Sequence, residues 1–403
     1  MKSIVILDGA RTPMAEYEGS KTGAGQPGGA LAKVSAIDLG AHAAKAALAR
    51  SGVEPGQIDA CFFGNALQTS GDAIYGARHV MLKAGVPFER PALTVNRLCG
   101  SGIQSVVSAA HSMGFGEADV CLVGGMENMS QAPHVIRGAR AGFKLGQGKL
   151  EDMLMVALLD TYCGCYMANT AENIANARSI SRETQDEYAI LSQQRAAAAK
   201  ARGVFEKEIV PIEVGSGKRT TLVTEDDHGK PDSTMEGLSR LPAAFGKDGT
   251  VTAGNASGIV DGAAALVVAT EEKAKAEGWK PKARIRSWAI TGVEPEFMGI
   301  GPVPSIREAL KKAGMQLSDI DLVEINEAFS AQYLAVEKDL GLDRDKTNVN
   351  GGAIALGHPL AATGTRLLLT LMYELERRGG GNGVASACIG GGQGIAMVVE
   401  SVA

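Results

Sequence analysis

Apolar residues along this chain fall into two rhythms that alternate. Short continuous apolar runs at residues 4–7, 58–63, 91–95 and 120–123 end in glycine or a polar turn and predict strands. Between them, apolar positions recur every three to four residues at 37–51, 76–84 and 103–113, which predicts helices. The first of these stops at Gly52, and residues 18–30 are irregular and glycine-rich. Strands alternating with helices imply an α/β body with a largely parallel sheet. The C-terminal part repeats the order. Ala47-Leu48, Ser51-Gly52, Val53 and Ile58-Asp59 return as Ala309-Leu310, Ala313-Gly314, Met315 and Ile320-Asp321, each 262 residues further on (47 to 309, 59 to 321). In both copies a strand ends near an asparagine, Asn65 or Asn326. A Val-Asn pair follows (Val95-Asn96, Val349-Asn350), then a turn of small residues and a helix. Each copy closes with an apolar strand running into glycines, at Gly124-Gly125 and Gly390-Gly391. This is an internal duplication.

The middle of the chain breaks the rhythm. Residues 130–249 hold a polar helix (182–202), short β-like pieces and a charged loop from Thr224 to Pro231. They read as an excursion from the first copy that covers a site. Residues 251–253 and 263–269 read as strands returning to the first sheet. The Lys- and Arg-rich run 273–286 reads as a solvated face and linker. The domains are therefore 1–128 with 250–280, the excursion 129–249, and 281–403.

Composition narrows the class of partner. With 403 residues and 45% apolar content, the chain can bury a large core. A formal charge of −5 argues against nucleic acid or an anionic membrane surface, so an anionic ligand must meet a local basic patch. No apolar run approaches the ~20 residues of a membrane span, and the N-terminus lacks a signal-peptide pattern. Six cysteines at 61, 99, 121, 163, 165 and 388 show neither disulfide nor zinc spacing. A reduced, cytoplasmic chain without metal is expected. Cys163-Gly164-Cys165 is read as structural.

Chemistry concentrates at the turns. In Val95-Asn96-Arg97-Leu98-Cys99-Gly100-Ser101-Gly102 a cysteine stands between a strand and a helix N-terminus. Unpaired N–H groups and the helix dipole there favour a thiolate and lower its pKa. The small neighbours leave space beside the sulfur for a substrate carbonyl. A lone cysteine is most often a buried structural residue, and this stretch alone leaves both readings open. The duplication tips the balance, because His358-Pro359, set among Gly and Ala, precedes the second helix much as Cys99 precedes the first. Cys388, before the glycines 390–392, is a third candidate, where backbone N–H groups can approach a reacting oxygen. Asn326, at a strand C-terminus, is a fourth. Glu327 beside it is read as a general base or a helix-start carboxylate.

These residues carry a resemblance. Asn96-Arg97-Leu98-Cys99-Gly100-Ser101-Gly102, Asn326-Glu327-Ala328-Phe329, the run from Gly351 to His358-Pro359, and the run from Cys388 to Gly394 match four motifs of thiolases, acetyl-CoA C-acyltransferases. Further matches are the run from Gly124 to Ser130, Thr170-Ala171-Glu172-Asn173, and the run from Thr252 to Gly258, and the likeness spans nearly the full length. The resemblance implies an αβαβα layered thiolase-like fold with an inserted loop domain. It implies that Cys99 takes the acyl group after His358 takes its proton, and that Cys388 shuttles a proton at the α-carbon of acetyl-CoA. It further implies that His358 and a water held by Asn326 stabilise the enolate, and that the N–H groups of Cys99 and Gly390 cradle the oxygen of the acyl-cysteine. Ser257 matches a pantetheine contact and Lys230 a phosphate-side cation. Met298 and Phe329 match the acyl pocket, and Tyr166-Met167 the wall where short-chain biosynthetic members carry His in place of Tyr166. Ala361 replaces a frequent glycine. The substrates implied are acetyl-CoA, acyl-CoA or 3-ketoacyl-CoA, without a separate cofactor, in a homodimer or homotetramer. Acetyl-CoA acetyltransfer is the primary expectation. The alternatives are a longer-chain 3-ketoacyl-CoA thiolase of fatty-acid degradation, a decarboxylating ketoacyl synthase, whose single cysteine and two histidines fit Cys388 poorly, and a non-catalytic acyl-CoA carrier.

Overall fold

The computed structural model describes residues 2–402 apart from 216, 218, 219, 245 and 247. Its central strands are β1 (Ile4–Arg11), β2 (Ala60–Gly64), β3 (Ala92–Val95), β4 (Val120–Glu127), β5 (Val260–Thr270), β6 (Ala283–Gly292), β7 (Leu322–Ile325), β8 (Asn382–Ile389) and β9 (Gln393–Ser401). They lie in the order β7-β8-β9-β6-β1-β5-β4-β2-β3. The duplication is visible in the pairing. β1 and β6 run antiparallel, Ile4 opposite Ile285 and Ile6 opposite Ala283, so the two copies meet about a pseudo-two-fold axis. From that seam each copy repeats two antiparallel pairings and then a parallel one. Even the outermost pairing of β3 with β2 has its counterpart, a parallel bridge between Thr347 and Val323.

The expectation of a largely parallel sheet is corrected here. Among the nine central strands, parallel ladders join only β2, β3, β4, β7 and β8, and the pairings at the centre are antiparallel. Alternating strand and helix signals cannot show that β8 returns directly as β9 through a hairpin of Gly390, Gly391 and Gly392. Gly391 (φ 82°) and Gly392 (φ 80°) adopt the left-handed backbone such a turn needs.

Seven helices matter to the site: α1 (Ala36–Ser51), α2 (Ser101–Gly114), α3 (Met167–Arg178), α4 (Arg182–Ala201), α5 (Pro302–Ala313), α6 (Ser330–Leu340) and α7 (Leu360–Arg377). Side chains of the strands alternate between faces, as a pleated strand requires. Ile4, Ile6, Cys121, Val123, Met397 and Val399 pack on Val106, Val107 and Met113 of α2 and Leu367, Leu368 and Leu371 of α7. Val5, Leu7 and Leu122 turn the other way, onto Ile37, Ala44 and Leu48 of α1. Val384 and Val398 face Ile306 of α5 and Tyr333 of α6. The result is five layers, αβαβα, with α2 and α7 in the middle. Both middle helices are enclosed by sheet on either side, which is why α7 is buried along nearly its whole length.

The excursion contains α3, α4 and small hairpins such as His134–Ile136 with Leu150–Asp152. It is tied to β1 by Arg11, fully buried, which donates to Glu208 (2.9 Å) and to Asp226 (2.7 and 2.9 Å). Two expectations fail around it. Residues 251–253 are not a strand; they turn, with Thr252 N donating to Asn255 Oδ1 at 2.8 Å. The 273–286 run is not a linker. It ends the helix Glu271–Glu277 and enters β6, the seam strand, whose Arg284 and Arg286 point outward to Glu400.

Candidate active site

α2 and α7 cross at two glycines. A methyl on Gly102 would lie 2.3 Å from Thr365 N, and one on Gly364 would lie 2.6 Å from Ile103 N. Side chains at either position would force the helices apart. The glycines next to Cys99 therefore serve packing rather than substrate access. Gly100 shows the same, its missing Cβ being 2.5 Å from Ile389 Cδ1.

Cys99 occupies the short 3₁₀ turn Leu98–Gly100 that feeds α2. Leu98 holds φ +45°, an unfavourable left-handed conformation for a leucine. Hydrogen bonds impose it. Leu98 N donates to Asn96 Oδ1 (2.9 Å), Arg97 N to Ser101 Oγ (2.9 Å), and Ser101 Oγ to Leu98 O (2.7 Å). Arg97 reaches across to the second copy, donating to Gln393 Oε1 at 2.6 Å.

His358 precedes α7. Its N–H donates to Gly258 O (2.9 Å), its Nδ1 meets Thr363 Oγ1 (2.6 Å), and its Nε2 faces Asn326 Nδ2 (3.3 Å). Thr363 Oγ1 itself donates to Pro359 O (3.1 Å), so the threonine oxygen accepts from Nδ1–H and the lone pair is left on Nε2. Burial, and then the charge of Arg366, lower the His358 pKa to about 3. The imidazole is neutral at physiological pH and can accept a proton. Asn326 Oδ1 is buried without a protein donor among the described residues, an acceptor available to a hydroxyl or water.

Cys388 is buried in β8 against Met167, Met298, Ala328 and Phe329. Burial pushes its pKa far up, and the charge of a Cys99 thiolate adds to this, which places the two sulfurs within electrostatic reach. The backbone N–H groups of Cys99 and Gly390 face the Cys99 sulfur and pull its pKa down. They do not win. Cys99 keeps partial exposure, yet desolvation by its packing neighbours Leu67, Met129, Leu154 and Leu360 raises its pKa to about 12. The lowered pKa expected from the helix N-terminus is thus overturned: the resting pair is thiol and neutral imidazole, not thiolate and imidazolium.

The structure sets Cys388 and Gly390 near Cys99 and pairs His358 with Asn326, and Met167, Met298 and Phe329 form an apolar wall at Cys388. The Met167 sulfur lies 3.2 Å from where a Cβ on Gly390 would stand. Tyr166 precedes α3 beside this wall. Ser257 is half-buried, adjacent to the Gly258 carbonyl that holds His358. Lys230 is exposed on the charged loop, its N–H bound to Gln193 Oε1 at 2.7 Å. A cavity of about 780 Å³ lies between α4 and that loop; Gln193 lines it, but Cys99, His358, Cys388 and Lys230 do not. Glu327 is neither a base nor a helix-start carboxylate. It is fully buried and accepts from Tyr188 (2.6 Å), Ser192 (2.7 Å), Asn348 (2.9 Å) and Ile354 N (3.2 Å), holding the excursion to the second copy. Sequence reasoning missed Thr363, Gly258 and Arg366. Only Thr363, five residues after the histidine, offered a local signal.

Known proteins resemble the chain along its whole length. Residues 4–272 match the family described as thiolase, N-terminal domain, and residues 279–401 that described as thiolase, C-terminal domain. The chain is 52% identical over 404 residues to the mitochondrial 3-ketoacyl-CoA thiolase of Homo sapiens, covering 100% of this chain and 99% of that protein. It is 49% identical over 402 residues to the acetyl-CoA acetyltransferase of Escherichia coli (strain K12), covering 99% of each. The crystal structure of the human mitochondrial 3-ketoacyl-CoA thiolase in complex with CoA superposes with a TM-score of 0.95 at 52% identity, covering 100% of this chain and 98% of that one. Profiles along both halves and identity along the full length lead to one conclusion: the chain belongs to the thiolase family.

Proposed function

We propose that the protein transfers an acetyl group between acetyl-CoA molecules, forming and cleaving a short 3-ketoacyl-CoA through an acyl-Cys99 intermediate. One observation supports this reading: two thiols lie within electrostatic reach of each other, and two N–H groups face the first. As the Cys99 sulfur attacks a thioester carbonyl, its proton passes to His358 Nε2. The carbonyl oxygen takes the negative charge and is met by the N–H groups of Cys99 and Gly390. CoA leaves as a thiol with that proton. His358, neutral again, takes the proton of Cys388, and the Cys388 thiolate removes a proton from the methyl of a second acetyl-CoA. The carbanion attacks the acyl carbon, the C–S bond to Cys99 breaks as the departing sulfur recovers a proton from His358, and the product is the 3-ketoacyl-CoA. Asn326 and His358 face the thioester oxygen as the enolate forms.

The bulk of Met167, Met298 and Phe329 around Cys388 supports short acyl groups. Ser257 suits a pantetheine contact and Lys230 a phosphate. Measured in the thiolytic direction, kcat/KM is expected to peak at acetoacetyl-CoA and to fall at least tenfold by a ten-carbon 3-ketoacyl chain. A rise with chain length would establish the longer-chain reading instead. The protein further works as a homo-oligomer in a reducing compartment, consistent with six free cysteines. β3 is an edge strand with Leu93 exposed, flanked by exposed Ile74, Tyr75 and Phe88. A second apolar patch, Phe143, Leu145 and Leu150, projects from the excursion and suits a tetramer. Light scattering that returned the 41.7 kDa monomer mass would refute this part.

A further inference from the structure

The 262-residue offset between the copies extends to the helix crossing, where Gly102 and Gly364 are equivalent. Cys99 and Ala361 each stand three residues before them, so the strict counterpart of Cys99 is Ala361, not His358. The N–H of Ala361 is held by Glu127, which stands two residues beyond the Gly125 that pairs with Gly64.

Glu127 is fully buried, and among the described residues no Lys, Arg or His forms an ion pair with it. Its two oxygens instead accept four N–H groups. Oε1 accepts from Asn65 Nδ2 (2.9 Å) and Leu67 N (2.9 Å), and Oε2 from Ala66 N (3.1 Å) and Ala361 N (3.0 Å). All four partners are donors, a pattern that suits an ionised carboxylate. Burial and the charge of Asp261 oppose ionisation and raise its pKa to about 7, so the four bonds hold the charge against a substantial penalty. Those bonds span the site. Ala361 lies in the first turn of α7, three residues after His358, and Leu67 packs on Cys99.

We propose that Glu127 is a positioning residue that fixes the first turn after His358 against the loop packed on Cys99. This rests on the thiolase reading above. Glu127→Gln keeps the size but sets an NH₂ against backbone donors. It is expected to lower kcat at least tenfold while KM for the acyl-CoA stays within twofold, and to slow acylation of Cys99 in a single turnover by the same factor. Asn65→Ala, which removes one donor and leaves the carboxylate, should show the same split at about threefold, and decides the matter if the first variant does not fold. Kinetics within twofold of the parent for Glu127→Gln, or unchanged for Asn65→Ala, would overturn the proposal. So would a KM that rises as far as kcat falls. A faster reaction of Cys99 with iodoacetamide at unchanged kcat would show that Glu127 acts only through its charge, which opposes thiolate formation. A parent protein without thiolytic activity would instead sink the thiolase reading itself, so the two failures are separable.

Discussion

Replacing Cys99 with alanine is expected to abolish turnover and the covalent intermediate together, with a loss on the order of 10⁴-fold or more, as when a nucleophile acting in a coupled unit is removed. Brief incubation of the parent with radiolabelled acetyl-CoA should place the label on the peptide containing Cys99, and the variant should take none. Label found only on Cys388 would exchange the roles of the two sulfurs. The environment of Cys99 adds a pH signature. Its pKa is raised to about 12 by burial, and that of His358 is lowered to about 3. Reaction of the resting enzyme with iodoacetamide should therefore keep rising with pH beyond 8, with no inflection near the ordinary histidine value of about 6.5. A plateau below pH 8 would show a preformed thiolate. The same histidine sets a stability trend. Because its folded pKa lies below its unfolded one, its contribution is fully present above about pH 6.5 and is lost as pH falls from there toward 3.

Cys388→Ser should uncouple the two half-reactions. Acylation needs Cys99, His358 and two N–H groups, none of which the substitution removes. The variant is expected to release one equivalent of CoA per site in a burst and then to stall, with condensation reduced on the order of 10²- to 10⁴-fold, the range for a lost general acid–base. A serine hydroxyl is too weak an acid to serve as the thiol does. Mass spectrometry of the stalled protein should find one acetyl group on Cys99. Condensation at close to the parent rate would remove Cys388 from the proton transfer.

Much of this was legible in the chain. The 262-residue offset and the repeated Val-Asn-turn-helix order revealed two related halves, and the halves put a cysteine and a histidine far apart in sequence at matching turns. What stayed hidden depended on pairing across the halves. No local pattern shows that Gly102 and Gly364 meet, and so the glycines beside Cys99 looked like room for a substrate. The basic run at 273–286 looked solvated because Arg284 and Arg286 point outward, although Ala283 and Ile285 of the same strand are buried in the seam. The direction of the Cys99 pKa was misjudged for a related reason. A helix N-terminus is visible in sequence, whereas the apolar shell of Leu67, Met129, Leu154 and Leu360 comes from four separate segments. Glu327 was misread because its four donors also come from distant parts of the chain.

The crossing of α2 and α7 has a consequence for how such an enzyme diversifies. The crossing is set by two absent side chains deep between the sheets, whereas the surfaces proposed to meet an acyl tail, Tyr166, Met167, Met298 and Phe329, sit on the excursion and on the segments leading into α5 and α6. Substrate preference is therefore free to drift, or to be redesigned, by recarving that rim while the inner hinge-pin stays untouched.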